Sequence, residues 1–352
     1  MGLSKEEGIK LAAIRVPSEN DPSKPEFPPG NPKFPATSVR KIKVPGFTNV
    51  WLKDESINPT GTHKDRMAWE VVVTYKDFLT AKKRGQTKSA LPHLSVITSG
   101  SAGLAIQTQL KKFELPNLKV LIDTDLDSSI RDKLKKAGCE IYETDLSRKA
   151  FTWNEILALT HNPRGIDITS ADALDPHTRF YDWLAYEIIN ISPDYCFIPF
   201  GTGNLYENVI GINKKEVSTK DHDPRFKGKV ETLRRCNFMG ATTNNPKSKA
   251  DKLYSPHLPF IHYDEQSLRL YKFAGYCGTE SDVYPIKEVY LDQAMEIAKS
   301  QGINCEFSGI AGLALILQLK RQLPKNKKML IINTGNSMAA KNSLYSRSNQ
   351  PF

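Results

Sequence analysis

Four short polar or glycine-rich turns follow apolar runs of the sequence, and their residue types are suited to chemistry. They read NPTGTHKDR at 58–66, SGSAG at 99–103, GTGNL at 201–205 and TGN at 334–336. In open parallel sheets, ligands bind beyond the carboxyl ends of the strands, on the N-termini of the helices that follow. We therefore expect these four turns to open toward one crevice.

The turn GTGNL has the composition of an anion-binding loop. Gly201 and Gly203 permit unusual backbone angles, and the amides of residues 202–205 can converge on a phosphate at a helix start. The turn is not a P-loop, because no GK[ST] follows, and it is not GxGxxG, because Tyr206 occupies the last glycine position. A short glycine turn is more often only a turn, so this motif indicates a phosphate site only in combination with the other three turns.

Lys64 stands at the predicted start of a helix, directly after PTGTH. The helix dipole disfavours an ammonium group there, which would favour a lysine that acts as a Schiff-base nucleophile. A lysine in a helix is nearly always a surface group when it is considered alone. The nucleophile and the surface group therefore both remain open from this residue alone.

The second of these turns, SGSAG, is repeated in the chain. SGSAGLAIQTQLK at 99–111 and SGIAGLALILQLK at 308–320 share nine of thirteen positions, but Ser101 of the first copy is Ile310 in the second. Small residues at a helix start allow close packing on a sheet, which explains most of the shared letters. The repeat predicts two similar strand–turn–helix units, of which only the first meets a ligand.

Strands and helices alternate along the chain, and several strands are apolar on both faces, which is typical of parallel sheets covered by helices. The sequence predicts an α/β fold of two doubly wound parallel-sheet domains with the active site in the cleft between them. Seven prolines at 17–35 predict an extended arm. We expect residues 1–51 to form this arm and a first strand that pack on the second domain. The first domain then covers 52–185 and the second 186–352.

Composition excludes several classes of protein. The 352 residues carry a net charge of +10, but the lysines are spread out and no nucleic-acid motif is present, so a basic surface is the simpler explanation. The five cysteines form no CxxC pair and the histidines no metal-ligand spacing, so we expect reduced thiols, a cytoplasmic location and no metal. We find no apolar run long enough to span a membrane.

Taken together and in this order, the turns resemble the fold type II family of pyridoxal-phosphate enzymes. NPTGTHKDR is similar to the lysine motif of threonine synthases, GTGNL to the phosphate loop, NCEFSGIAGLA to the late EPSGAAGLA segment, and TGN to the turn at the pyridine nitrogen. The resemblance covers about residue 36 to 340. The family usually has Asn at position 101 and, in threonine synthase, Phe at position 63, where this chain has Ser101 and His63.

The resemblance implies a cofactor, pyridoxal 5'-phosphate, and a role for each matching residue. Lys64 would hold the cofactor as a Schiff base and then act as the general base at Cα. The other implied cofactor-binding residues are Ser101, Gly201, Thr202, Gly203, Asn204, Leu205 and Thr334. The implied substrate-binding residues are Thr60, Thr98, Ser99 and Gly100.

The implied function is a lyase or synthase that acts on a small amino acid, with or without a phosphorylated side chain, by Cα proton abstraction and β- or γ-elimination or replacement. The form of the lysine motif favours threonine synthase-like chemistry, with Arg66 and the basic stretch 244–252 as candidates for a second anion site. A serine/threonine ammonia-lyase and a β-replacing synthase are the alternatives. A cofactor-binding protein that has lost catalysis is a further alternative. The family also implies a homodimer.

Overall fold

A computed structural model describes residues 34–149, 151–169, 180–218, 234–254 and 282–336. The predicted proline-rich arm lies almost wholly outside the described residues. The described chain forms two compact units. The four-stranded unit contains Lys64–Phe180, and the six-stranded unit contains Pro35–His63 together with 181–254 and 282–336.

Each unit is built on one sheet. The strands in the described part of the chain are β1 (Val39–Val44), β2 (Phe47–Asp54), β3 (Leu94–Ile97), β4 (Lys119–Asp123), β5 (Glu140–Thr144), β6 (Ile166–Asp167), β7 (Tyr195–Pro199), β8 (Asn237–Thr242), β9 (Asp282–Pro285) and β10 (Met329–Asn333). The order in one sheet is β5-β4-β3-β6, with every pair parallel. The order in the other is β1-β2-β10-β7-β8-β9, and all its pairs are parallel except β1 with β2.

Helices alternate with these strands, as the sequence predicts. Those with described bounds are α1 (Lys64–Lys83), α2 (Ser101–Lys112), α3 (Ser128–Ala137), α4 (Trp153–Leu159), α5 (Asp182–Ile191), α6 (Asn204–Ser218), α7 (Glu288–Ser300) and α8 (Ala311–Gln318). Short 3-10 turns occupy Glu55–Ile57 and Asp251–Leu253. The mixed α/β architecture with parallel sheets confirms the predicted fold class.

The first domain boundary differs from the expected one. Residues 52–63, which the sequence assigned to the first domain, belong to the six-stranded unit. The reason is that β2 pairs in parallel with β10, the last described strand of the chain, from Val50 opposite Met329 to Asp54 opposite Asn333. The chain enters the four-stranded unit only at Lys64.

The core of the six-stranded unit lies between its sheet and the two helices α7 and α8. Leu52, Phe197 and Ile331 from the sheet pack there with Leu291 of α7 and Leu315 of α8. All five residues of β10 are buried, so the sheet is covered on both faces at that strand. Such burial explains why the central strands read as continuous apolar runs.

The repeated phrase begins one helix in each unit, as predicted. A Cβ on Gly103 would lie 3.0 Å from the side chains of Leu134 and Thr98. A Cβ on Gly312, the matching residue of the second copy, would lie 2.8 Å from the carbonyl oxygen of Phe197. These shared glycines therefore let α2 and α8 approach their neighbours closely.

The structure describes four cysteines, Cys139, Cys196, Cys236 and Cys305, and all four are buried and form no disulfide with one another. Burial raises the pKa of Cys139 and of Cys305 to about 12, so both remain thiols and are poor nucleophiles. In the described residues, no group of three or more His, Cys, Asp or Glu side chains is placed to hold a metal ion. None of the helices in the same part of the chain has the length and apolar character needed to cross a membrane.

Candidate active site

The lysine loop, residues 58–63, connects the 3-10 turn after β2 to Lys64 at the start of α1. Its shape is fixed from within. The amide of Gly61 donates to the carbonyl oxygen of Asn58 at 2.8 Å, and the Asn58 side chain donates to the carbonyl oxygen of Thr62 at 3.0 Å. Gly61 has φ of +79°, a left-handed conformation that favours glycine. The loop therefore brings the chain into α1 along one defined path.

The turn after β10, residues 334–336, is bonded to the lysine loop through the backbone. His63 donates its amide to the carbonyl oxygen of Thr334 at 3.0 Å, and Asn336 donates its amide to the carbonyl oxygen of Gly61 at 2.9 Å. Thr62 and Gly335 form an isolated antiparallel bridge between these two bonds. The two turns, which lie about 270 positions apart along the chain, are thus adjacent in the fold.

The lysine loop and the turn at 334–336 lie so close together that Gly335 and Gly309 have no room for a side chain. A Cβ on Gly335, which has φ of +117°, would lie 2.1 Å from the carbonyl oxygen of Gly61. On the other side, a Cβ on Gly309 would lie 2.3 Å from the carbonyl oxygen of Gly335. Gly309 belongs to the second copy of the repeated phrase, and its carbonyl accepts the amide of Thr334 at 3.1 Å. The second copy therefore supports the turn at 334–336, a role that the sequence did not predict.

The side chain of Asn333, the last residue of β10, holds the same turn through hydrogen bonds. It is fully buried, and its side-chain amide donates to Asp54 Oδ1 and to the carbonyl oxygen of Asn304, both at 2.9 Å. Its side-chain oxygen accepts the amide of Gly335 at 3.1 Å. Sequence reasoning missed this residue, although a buried Asn that ends the apolar run KMLIIN is a signal that could have found it.

The glycine loop, residues 201–205, joins β7 to α6, a helix of 15 residues. Gly203 has φ of +86°, and its carbonyl oxygen accepts the amide of Glu207 at 2.8 Å. A Cβ on Gly201 would lie 2.8 Å from the carbonyl oxygen of Lys252, so this position also requires glycine. A loop of backbone amides at the start of a long helix is suited to a phosphate group.

A chain of contacts connects the glycine loop to the turn at 334–336. Lys252, whose carbonyl oxygen lies against Gly201, donates its backbone amide to the hydroxyl oxygen of Ser308 at 3.2 Å. Ser308 precedes Gly309, which contacts Gly335. Three of the predicted turns are thereby held in one connected arrangement within the six-stranded unit, together with the buried Thr60 of the lysine loop.

The remaining predicted site residues belong to the four-stranded unit, where α2 begins beyond β3. Thr98 Oγ1 accepts the amides of Gly100 and Gly103 at 3.0 and 3.2 Å, and so caps α2. Ser99 is exposed and Ser101 is half-buried, whereas Ile310 at the position matching Ser101 is fully buried. In this structure the Gly100 amide is therefore already bonded to Thr98.

Three of the four cations suggested for a second anion site, Arg66, Lys249 and Lys252, already contact other side chains, whereas Lys247 is exposed. Arg66 is fully buried, and its guanidinium lies 5.0 Å from the ring centre of Phe34. In the stretch 244–252, Lys249 Nζ bonds both carboxylate oxygens of Asp292 at 2.5 and 2.8 Å, and Lys252 forms an ion pair with Glu306. The described residues thus give little support to a side-chain phosphate site at these positions.

Comparison with known proteins identifies the family of this chain. Residues 33–335 match the family model described as pyridoxal-phosphate dependent enzyme. Threonine synthase from Synechocystis sp. is 23% identical over 321 residues, which cover 87% of this chain and 76% of that protein.

The fold is shared with solved structures of low sequence identity. The crystal structure of O-ureido-L-serine synthase has a TM-score of 0.61 at 16% identity and covers 90% of this chain and 94% of its own. Threonine deaminase isoform 2 from Solanum lycopersicum has a TM-score of 0.58 at 14% identity, covering 99% and 95%. With the family model matched over most of its length, the chain belongs to the pyridoxal-phosphate dependent enzymes.

Proposed function

We propose that the protein is a lyase or synthase that uses pyridoxal phosphate to remove the Cα proton of a small amino acid and then eliminates or replaces a β- or γ-substituent. The observation that carries this proposal is the backbone bonding of the lysine loop to the turn at 334–336. That bonding holds His63, the residue directly before Lys64, against Thr334, the residue proposed to meet the cofactor ring. Threonine synthase-like chemistry is the first candidate, supported by the lysine motif and by the Synechocystis relative.

Each proposed cofactor contact uses a group suited to it. Lys64 would hold the cofactor covalently through its ε-amino nitrogen, and the backbone amides of the glycine loop would bind the phosphate. The hydroxyl of Thr334 would bond the ring nitrogen, and the hydroxyl of Ser101 the ring oxygen. When bound, pyridoxal phosphate supplies an electron sink that stabilises negative charge at Cα.

The protein groups would then orient the substrate and move its proton. Ser99, Gly100, Thr98 and Thr60 would bind the substrate carboxylate through hydroxyl and amide donors at the start of α2 and in the lysine loop. Lys64, once released from the cofactor, would accept the Cα proton at Nζ. Thr334 is a neutral partner that cannot stabilise a positive charge on the ring nitrogen as a carboxylate would, which suits elimination and replacement more than transamination.

A serine/threonine ammonia-lyase is the second candidate, and one observation favours it. Threonine synthase-like chemistry on a phosphorylated amino acid needs a site for the side-chain phosphate, but Arg66 is fully buried and Lys249 and Lys252 are paired with carboxylates. An ammonia-lyase acting on serine or threonine needs no such site. A β-replacing synthase remains the third candidate.

The quaternary state and location complete the proposal. We infer a homodimer from the family resemblance and a cytoplasmic location from the odd number and scattered positions of the cysteines. Size-exclusion chromatography with light scattering measures the first. A mass corresponding to a single chain of 39.5 kDa would contradict the dimer. Fractionation of the source cells measures the second.

Substrate profiling of the purified protein, supplied with pyridoxal phosphate, tests the proposed reaction. O-phosphohomoserine and water should give threonine and inorganic phosphate if the first candidate is right. Threonine should give 2-oxobutanoate and ammonia, and serine pyruvate and ammonia, if the second is right. Lys64→Ala is the control and should abolish either reaction. Cofactor binding without turnover of these substrates or of β-substituted serines would instead indicate a protein that has lost catalysis.

A further inference from the structure

A cluster of buried charges lies behind the lysine loop. Lys53 is 1% exposed and Glu55 is fully buried. The Lys53 ammonium bonds the hydroxyl of Thr37 and the carboxylate of Glu187, and lies 3.9 Å from Glu55 Oε1. Charged groups are costly to bury unless they are paired and hydrogen-bonded, so this arrangement calls for a reason beyond packing.

Glu55 connects this cluster to the loop. Its Oε1 accepts the hydroxyl of Thr37 at 2.6 Å, and its Oε2 accepts the side-chain amide of Asn58 at 2.8 Å. The same amide of Asn58 donates its second hydrogen to the carbonyl oxygen of Thr62 at 3.0 Å. A continuous set of hydrogen bonds therefore extends from the buried charges to a carbonyl two residues before Lys64. We call Glu55, Asn58 and this carbonyl the Asn58 relay.

The relay acts where the loop meets the turn at 334–336. Thr62 holds Gly335 through the isolated bridge on one side and accepts from Asn58 on the other. Asn58 is 7% exposed, so water offers its amide little alternative. A carboxylate makes a stronger acceptor than a neutral group, which fixes the Asn58 amide more firmly.

We propose that Asn58 and Glu55 are positioning residues for Lys64, which set the backbone from which this lysine reaches the cofactor. The inference rests on the proposed role of Lys64. The Asn58 relay contacts no reacting atom and acts through the carbonyl of Thr62. Its loss should therefore weaken cofactor binding more than it weakens the fold.

The chain offers a matched control for this test. Asn162, in the four-stranded unit, is 6% exposed, and its side-chain amide also donates two hydrogen bonds, to the carbonyl oxygen of His93 at 3.0 Å and to Ser95 Oγ at 2.8 Å. Asn58→Ala and Asn162→Ala remove the same groups from similar environments. The measurements are the thermal midpoint of the apoprotein, the dissociation constant of pyridoxal 5'-phosphate and the visible absorption of the bound cofactor.

We expect both variants to lose similar thermal stability. Only Asn58→Ala should raise the dissociation constant of pyridoxal 5'-phosphate, by about tenfold, the scale of losing the hydrogen bond to the Thr62 carbonyl oxygen, and shift the visible band. Equal dissociation constants for Asn58→Ala, Asn162→Ala and wild type would overturn the proposal. So would an equal rise in both variants, because a general loss of stability would then explain it.

Glu55→Gln serves as a second variant if Asn58→Ala does not fold. Glutamine keeps the size of Glu55 but turns one acceptor oxygen into a donor, so the effect on the dissociation constant should have the same direction and be smaller. An unchanged dissociation constant would count against the Asn58 relay. Failure of the proposed function is a separate outcome, because wild type itself would then bind no cofactor at Lys64.

Discussion

The carbonyl oxygen of Thr334 accepts two hydrogen bonds from His63, one from the backbone amide at 3.0 Å and one from ring Nδ1 at 3.2 Å. A carbonyl oxygen can only accept, so the bonded Nδ1 carries the hydrogen. The His63 ring also packs against the ring of Tyr181, with centroids 5.4 Å apart. The residue directly before Lys64 is thus fixed through both its backbone and its ring.

Replacement of this ring tests how much the second bond contributes. His63→Phe keeps the backbone bond and an aromatic ring against Tyr181, but loses the Nδ1 donor. We expect the fold to persist and the dissociation constant of pyridoxal phosphate to rise by up to about tenfold, since one hydrogen bond is removed. Equilibrium titration followed by absorbance measures this change. An unchanged dissociation constant would mean that the backbone bond alone fixes the segment.

Gly335 should tolerate no side chain. Gly335→Ala places a methyl group 2.1 Å from the carbonyl oxygen of Gly61 and also strains a φ of +117°. We expect a loss of about 3 kcal/mol or more in the free energy of unfolding, together with loss of cofactor binding. Gly302→Ala is the matched control, because Gly302 has φ of +62° but no atom within 4 Å of its added Cβ. It should cost about 1 kcal/mol and leave the dissociation constant unchanged.

Urea unfolding and cofactor titration of both glycine variants provide the measurements. If Gly335→Ala is no less stable than Gly302→Ala and still binds the cofactor, then the close contact between the lysine loop and the turn at 334–336 is absent in solution.

Asp167, at the end of β6, gives a prediction for pH. Burial raises the pKa of its carboxyl group above the ordinary value of 3.8, although hydrogen bonds from Thr169 act in the opposite direction. A raised pKa in the folded state means that folding opposes ionisation. The ionised carboxylate therefore lowers the free energy of unfolding at neutral pH. This loss shrinks as the pH falls through the folded-state pKa and is absent below the unfolded-state pKa.

Asp167→Asn removes this cost while its side-chain oxygen can still accept the amide of Thr169, which bonds Asp167 Oδ1 at 2.9 Å. We expect a higher thermal midpoint than wild type at about pH 7, with a difference that shrinks as the pH falls toward about 4. Calorimetry over this range measures it. A wild-type protein that is the more stable of the two at neutral pH would show that the carboxylate is stabilised in the fold.

Local patterns predicted the turns and most elements of this fold. The apolar runs before residues 99, 201 and 334 are strands β3, β7 and β10, and the repeated phrase begins α2 and α8. These elements could be predicted because the spacing of apolar residues and the positions of glycines depend only on residues that are near in sequence. The domain boundary at 52 was misplaced because the pairing of β2 with β10 joins residues almost 280 positions apart.

The supporting contacts of the candidate site could not be predicted in this way. Asn58, Glu55 and Asn333 act through side-chain hydrogen bonds that depend on which segments meet in three dimensions. The second copy of the repeated phrase was expected only to pack a helix on a sheet. Gly309 also makes room for Gly335, a close contact between backbones that leaves no trace in the residue pattern except glycine itself.

The covalent attachment of the cofactor tests the central claim most directly. Purified protein supplied with pyridoxal phosphate is reduced with borohydride, digested and mapped by mass spectrometry, with Lys64→Ala treated in parallel. We predict one reduced cofactor adduct on Lys64, and none in the variant. An adduct on a different lysine, or no adduct on a protein that has taken up no cofactor, would contradict the account.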